Sequence, residues 1–159
     1  IKDVLADPAN KIKASADLGG LFIDGYGDGL CLSNDYDNIT FTELKDLGFS
    51  ILQASRMRVS KTEFISCPGC GRTQFNLHET TLKVKEHFSH LLHLKIGVMG
   101  CVVNGPGEMG DVDYGFVGAG SGKINLYKGQ QVVKRSIPYE NAVEELEKLI
   151  RESGDWQER

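Results

Sequence analysis

A chain of 159 residues, 40% hydrophobic and 25% charged, is long enough for one domain with a full core, or a domain with a tail. Its net charge of −4 argues against a general nucleic-acid binder, and no apolar run approaches the length that spans a bilayer. The opening "IKDVLADPAN" has no basic start followed by an apolar stretch, so it is not a secretory signal, and without a Met it reads as beginning mid-protein. A cytoplasmic location is expected if no targeting segment precedes it.

The first predicted helix covers residues 8–18, with Asp7 as cap, Pro8 in the first turn and Gly19 as its end. "GLFIDG" (20–25) and "GLCLS" (29–33) read as short strands broken by glycine, and "SNDYDN" (33–38) as a loop. A second helix is predicted over 42–55. Thr40 and Glu43 stand in capping-box spacing, and Leu44, Leu47, Ile51 and Leu52 recur at helical intervals. "TEFIS" (62–66) is a strand leading into "CPGC". Asn76 and Glu79 open the next helix, with Leu77, Val84, Phe88 and Leu91 on one face. "LKIGVM" (94–99) is a strand ending at Gly100-Cys101. Strands near 113–118, 123–127 and 130–134 follow, the last two joined by a turn at 128–129. Pro138 starts the final helix, whose stripe is Ala142, Val143, Leu146, Leu149 and Ile150, and Gly154 ends it. The order predicts an α/β (α+β) fold, a mixed β-sheet with helices packed on it. Residues 1–159 are read as a single domain, with 1–58 as the alternative tail of a preceding one.

The chemistry gathers at cysteine. Four of them, Cys31, Cys67, Cys70 and Cys101, sit in a chain that needs no stapling, which points to a reduced compartment. A CxxC there reads as metal or redox chemistry. Pro68-Gly69 tightens the pair, and Gly71 can take a positive φ just after it. Strand, helix and strand return the chain to its starting end, so Cys101 is expected beside Cys67 and Cys70. Three thiolates leave a metal site one ligand short, and Cys31, a histidine and Glu108 are the candidates. The loop "CVVNGPGE" favours Glu108: Gly105 and Gly107 let backbone wrap a bulky inorganic body and bring the carboxylate back to it. A carboxylate is a hard, labile donor among soft thiolates, suited to a site that must admit a substrate. The plainer alternative is a structural zinc site with Glu108 as a solvated side chain. Cys31 reads as a buried small hydrophobe, and His87, His90 and His93 as solvent-facing.

"SCPGCGRT" followed by "MGCVVNGPGEMGDVDYGFVG" resembles the C-terminal cluster domain of the 4-hydroxy-3-methylbut-2-enyl diphosphate synthase family. "LFIDGYGDGL", "ILQASRMRVSKTEF" and "GKINLYKGQQVVKR" extend the resemblance over about residues 20–152. "SRMRVSKTEF" is closer to the longer variant of plants and some bacteria. The resemblance implies a 4Fe-4S cluster held by Cys67, Cys70, Cys101 and Glu108, in a fold similar to the cluster domains of sulfite and nitrite reductases. It implies reductive ring opening of 2-C-methyl-D-erythritol 2,4-cyclodiphosphate, in the non-mevalonate isoprenoid pathway, with flavodoxin or ferredoxin as electron donor. Glu108 would be both ligand and catalytic residue, with Asn104 near the substrate oxygen. Arg58 and Arg72 are candidate phosphate contacts, since a guanidinium fork suits phosphate. Arg56 and Lys61 read as a solvated basic linker. The family's N-terminal barrel is absent from this sequence, so the fragment alone is expected to be inactive. Cys31 stands where short members carry an arginine. A structural zinc module and a simple electron-transfer domain remain the alternatives.

Overall fold

The computed structural model describes residues 7–33, 40–103 and 105–158. The predicted loop at 33–38 and Asn104 fall wholly or mainly outside them. The chain divides into two compact units, Ile1–Ser60 and Lys61–Arg159.

The first unit holds helices α1 (Pro8–Ile23) and α2 (Phe41–Ala54). Asp7 caps α1 by accepting from the Ala9 N–H, and Thr40 and Glu43 close the expected capping box on α2. The predicted strand at 20–25 is instead the last turn of α1. Phe22 lies eight residues beyond Ala14, on the same helical face, and continuing the helix buries both. That burial outweighs the roughly 1 kcal/mol that each of Gly19 and Gly20 costs in a helix. The stop moves to Gly25, at φ 83°, where Tyr26 N–H reaches Leu21 O and Gly25 N–H reaches Phe22 O. The same paired closure ends α2, with Arg56 in the left-handed position at φ 63°. Residues 29–33 form no strand. Leu30 and Leu32 pack over Gly48 of α2, and Cys31 between them is exposed, not buried as expected.

The second unit is built on a five-stranded sheet in the order β1 (Glu63–Ser66), β2 (Lys95–Met99), β3 (Tyr114–Gly120), β4 (Lys123–Lys128) and β5 (Gln131–Pro138). The first three strands run parallel and the last three form an antiparallel meander, which is the mixed sheet predicted. α3 (Leu77–Phe88), capped by Asn76 on the Glu79 N–H, makes the crossover from β1 to β2. α4 (Gly105–Glu108) is a single turn between β2 and β3, and α5 (Ala142–Glu152) closes the unit.

Alternation along the strands separates two cores. Ile96, Val98, Tyr114 and Phe116 join Phe88, Leu91, Leu146 and Ile150 under α3 and α5. Met99 and Val117 point the other way, to Met109, Val112 and Tyr127.

Two predicted boundaries shift. β5 runs on to Pro138 because Ser136, at φ 53°, bulges and donates its N–H to the Asn125 side chain at 2.9 Å. Pro138 therefore ends a strand and does not start a helix. A 3₁₀ turn (Tyr139–Asn141) intervenes, tied by Tyr139 N–H to Gly122 O and by the Tyr139 hydroxyl to Thr80 Oγ1. Of the three histidines expected to face solvent, His93 is exposed, while His87 and His90 are half-buried. His87 Nε2 meets Glu147 at 2.6 Å, the His90 ring lies edge-on to Trp156 at 4.8 Å, and His93 Nδ1 meets Gln157.

Tyr114 gives a test of this packing. Its buried hydroxyl donates to Asp155 Oδ2 at 2.5 Å, and burial first, then this bond, pushes its pKa up to about 12. The raised value favours the protonated native form. Its contribution is therefore complete below pH about 10, the unfolded value, and lost as pH rises through about 12. Denaturant melts at stepped alkaline pH should show stability falling across that window in the native protein and a flatter profile in Tyr114→Phe. Matching profiles would mean the hydroxyl carries no such linkage.

Candidate metal centre

β1 delivers Cys67 and β2 delivers Cys101. The two strands are parallel neighbours with Ser66 opposite Val98, so both cysteines leave the same end of the sheet. Cys67 N–H reaches back to Val98 O at 3.4 Å, and Gly100 N–H donates to Cys67 Sγ at 3.3 Å. That hydrogen bond ties the Cys67 sulfur to the residue just before Cys101. The turn through Pro68 puts its positive φ on Gly69, at 83°, and not on Gly71.

Cys70 is exposed, and its thiol is held below the usual range. The main cause is the Arg72 backbone N–H on its sulfur, followed by the Arg72 side chain, and Cys101 lies within hydrogen-bonding reach of the same sulfur. Arg72 therefore belongs to the site. Arg58 lies in the first unit, where its guanidinium stacks over the Phe49 ring at 5.2 Å.

Glu108 closes α4 and is exposed. The expected open glycine loop is thus a helical turn, with Met109 N–H bonded to Gly105 O. Met109 anchors it. Gly97 of β2 and Gly115 of β3 are register partners, and a Cβ on either would fall within 3 Å of the Met109 sulfur. The two bare strand positions make the seat in which Met109 is buried, and they fix the backbone beside Glu108.

Cys67, Cys70, Cys101 and Glu108 all line one cleft of about 90 Å³, with Arg72 and Gly105 in its wall. Among the described residues no three Cys, His, Asp or Glu side chains converge on a single ion. Three thiols and one carboxylate lining one cleft are donors that an iron–sulfur cluster accepts, as does a zinc ion. Thr73, Met109 and Gly118 shape the site and were not singled out from the sequence. Glycines inside "KIGVM" and "YGFVG" were the available signal, because a glycine within a strand marks a close approach.

The fold and cleft define a class: a mixed-sheet domain presenting a three-thiol, one-carboxylate set at the end of its parallel strands. The chain belongs to the GcpE family, since the model of the GcpE protein C-terminal domain matches residues 63–152. It is 53% identical over 94% of its length to a Porphyromonas gingivalis protein, and 56% identical over 92% to one from Parabacteroides distasonis. A Chlorobaculum tepidum protein is 52% identical over 91%. Each of the three is named 4-hydroxy-3-methylbut-2-en-1-yl diphosphate synthase (flavodoxin). The chain spans a quarter or less of the length of these relatives, from 25% down to 19%. No helix among the described residues is long and apolar enough to cross a membrane.

Proposed function

We propose that this chain is the cluster-bearing part of a cytoplasmic 4-hydroxy-3-methylbut-2-enyl diphosphate synthase that opens 2-C-methyl-D-erythritol 2,4-cyclodiphosphate reductively. The observation that carries this is the meeting of Cys67, Cys70, Cys101 and Glu108 in one cleft. Those four residues would hold a 4Fe-4S cluster, which when bound would pass on, one at a time, the two electrons that an external donor delivers for the ring opening. Flavodoxin, the word printed in the relatives' names, is the electron donor we favour, with ferredoxin as the alternative. The overall domain shape would be that of a sulfite reductase cluster domain.

The chain's own residues set the conditions. The Gly100 N–H is aimed at the Cys67 sulfur, and Arg72 lowers the proton affinity of the Cys70 thiol. Met109 holds the backbone at Glu108 while the carboxylate itself has no hydrogen-bond or ion-pair partner among the described residues. Arg72, in the cleft wall, suits a substrate phosphate; Arg58 and Asn104 are further contacts in this proposal. The rest of the substrate site, a barrel that grips the diphosphate, lies in a partner domain of the same or another chain, and residues 1–58 would be that barrel's tail.

Anaerobic purification of the full-length protein, with iron and acid-labile sulfide analysis, tests this. About four irons and four sulfides per chain are expected. A colourless protein carrying one zinc would overturn the proposal and favour a structural module.

A further inference from the structure

Thr73 follows the CxxC by three residues, and its side chain touches both halves of the thiol set. Its Oγ1 accepts the Cys70 N–H at 3.0 Å, while its own N–H returns to Cys70 O at 3.0 Å. The turn 70–73 is thereby closed from both sides. The other face of Thr73 rests on Gly100, the residue before Cys101. A Cβ added to Gly100 would lie 2.8 Å from Thr73 Oγ1 and 2.9 Å from its methyl group. The next residue continues the seam, with Gln74 N–H donating to Gly100 O at 3.0 Å. Gly100 in turn gives its N–H to Cys67 Sγ. Cys70, Thr73, Gly100 and Cys67 thus form one hydrogen-bonded and packed unit, with Cys101 attached to it through the backbone.

We infer that Thr73 is a positioning residue, whose hydroxyl sets the separation of the Cys70 and Cys101 thiols. The inference rests on the proposed role of these two cysteines as ligands. Cys70, Gly71 and Arg72 are exposed, and besides Thr73 the turn 70–73 is held only by Arg72 on the Cys70 sulfur and by the Gln74 side-chain amide on Arg72 O at 2.7 Å among the contacts of the described residues. Without the hydroxyl, the Cys70 N–H loses its acceptor and the turn opens toward solvent, carrying the sulfur away from Cys101. The side chain is half-buried and sits on a bare glycine, so its shape and its hydrogen bond can be separated by substitution. Thr73→Val keeps the shape and removes the hydroxyl. Thr73→Ser keeps the hydroxyl and removes one methyl.

The spacing of the two thiols can be read without any metal. The full-length protein and both variants are prepared metal-free and reduced, then equilibrated in buffers of reduced glutathione and glutathione disulfide. Cys70 and Cys101 each give up a proton and form one S–S bond, and glutathione disulfide takes the electron pair to become two glutathione thiols. Alkylation and peptide mapping then give the equilibrium constant for the Cys70–Cys101 bond apart from the Cys67–Cys70 bond. Thr73→Val should lower the Cys70–Cys101 constant roughly three- to tenfold, the range expected for one lost hydrogen bond. Thr73→Ser should stay near the native value. An unchanged constant in Thr73→Val overturns the inference. So does a roughly three- to tenfold fall in Thr73→Ser, which would assign the effect to methyl packing whether or not the valine variant folds. Mössbauer spectra of the anaerobically reconstituted native protein separate this from the functional proposal. Absence of a 4Fe-4S signal would sink that proposal, while the thiol equilibrium still judges Thr73.

Discussion

Gly118→Ala is expected to destabilise the second unit by about 2–3 kcal/mol, the upper part of the range for overpacking a tight site. A Cβ at Gly118 would stand 2.3 Å from the carbonyl oxygen of Gly100 and 3.1 Å from the Phe75 ring. The ring can tilt, but the carbonyl is backbone, and it is held by the Gln74 N–H at 3.0 Å. Relief therefore means moving the segment that carries Cys101, or bending β3 beside its bulge between Gly118 and Gly120. For a unit of this size the cost corresponds to a melting temperature lower by on the order of 10 °C. Calorimetry of the metal-free protein would measure it, and faster alkylation of Cys101 should accompany it. A variant melting within about 2 °C of the native protein would show that the sheet absorbs the methyl group and that this close approach is not structural.

The contrast between Gly118 and the helix caps shows which features a sequence carries openly. Thr40 with Glu43, Asn76 with the Glu79 N–H, and Gly154 with the end of α5 are local devices: each partner lies within a few residues, and each was legible. The return of Cys101 to Cys67 was legible for a different reason. A strand–helix–strand crossover brings the chain back to the same end of a parallel pair, so counting elements sufficed. "GLFIDG" misled because glycine and aliphatic residues look alike in a strand and in a buried helical turn, and the burial of Phe22 decided the matter. Met109 and Thr73 were hidden because their roles are contacts between segments distant in sequence. Met109 needs Gly97 and Gly115 in register, and that register exists only once β2 and β3 pair. The pattern of residues around Glu108 suggested a loop for the same reason: the helical turn is held from below by Met109, which no local rule reveals.

Glu108→Cys is expected to abolish turnover in the full-length enzyme while leaving iron and sulfide content unchanged. The substitution completes a four-thiolate set, which a cluster accepts readily. What it removes is the one hard donor, and a soft thiolate does not give way to a substrate as a carboxylate can. In the proposed reading Glu108 is a ligand that must move. Its backbone is pinned by Met109, fully buried against Gly97 and Gly115, while its side chain is exposed and has no hydrogen-bond or ion-pair partner among the described residues. Releasing it breaks no hydrogen bond or ion pair among those residues. The loss should exceed the roughly 10- to 100-fold that follows when a residue merely supporting a ligand is replaced. Glu108→Ala separates binding from exchange: it also removes the carboxylate but adds no thiolate, so iron should leave faster to a chelator than in either the native or the cysteine form. Iron content, chelation rate and single-turnover product are the three measurements. Full activity in Glu108→Cys would strip the carboxylate of its special role and return the site to an ordinary electron-carrying centre.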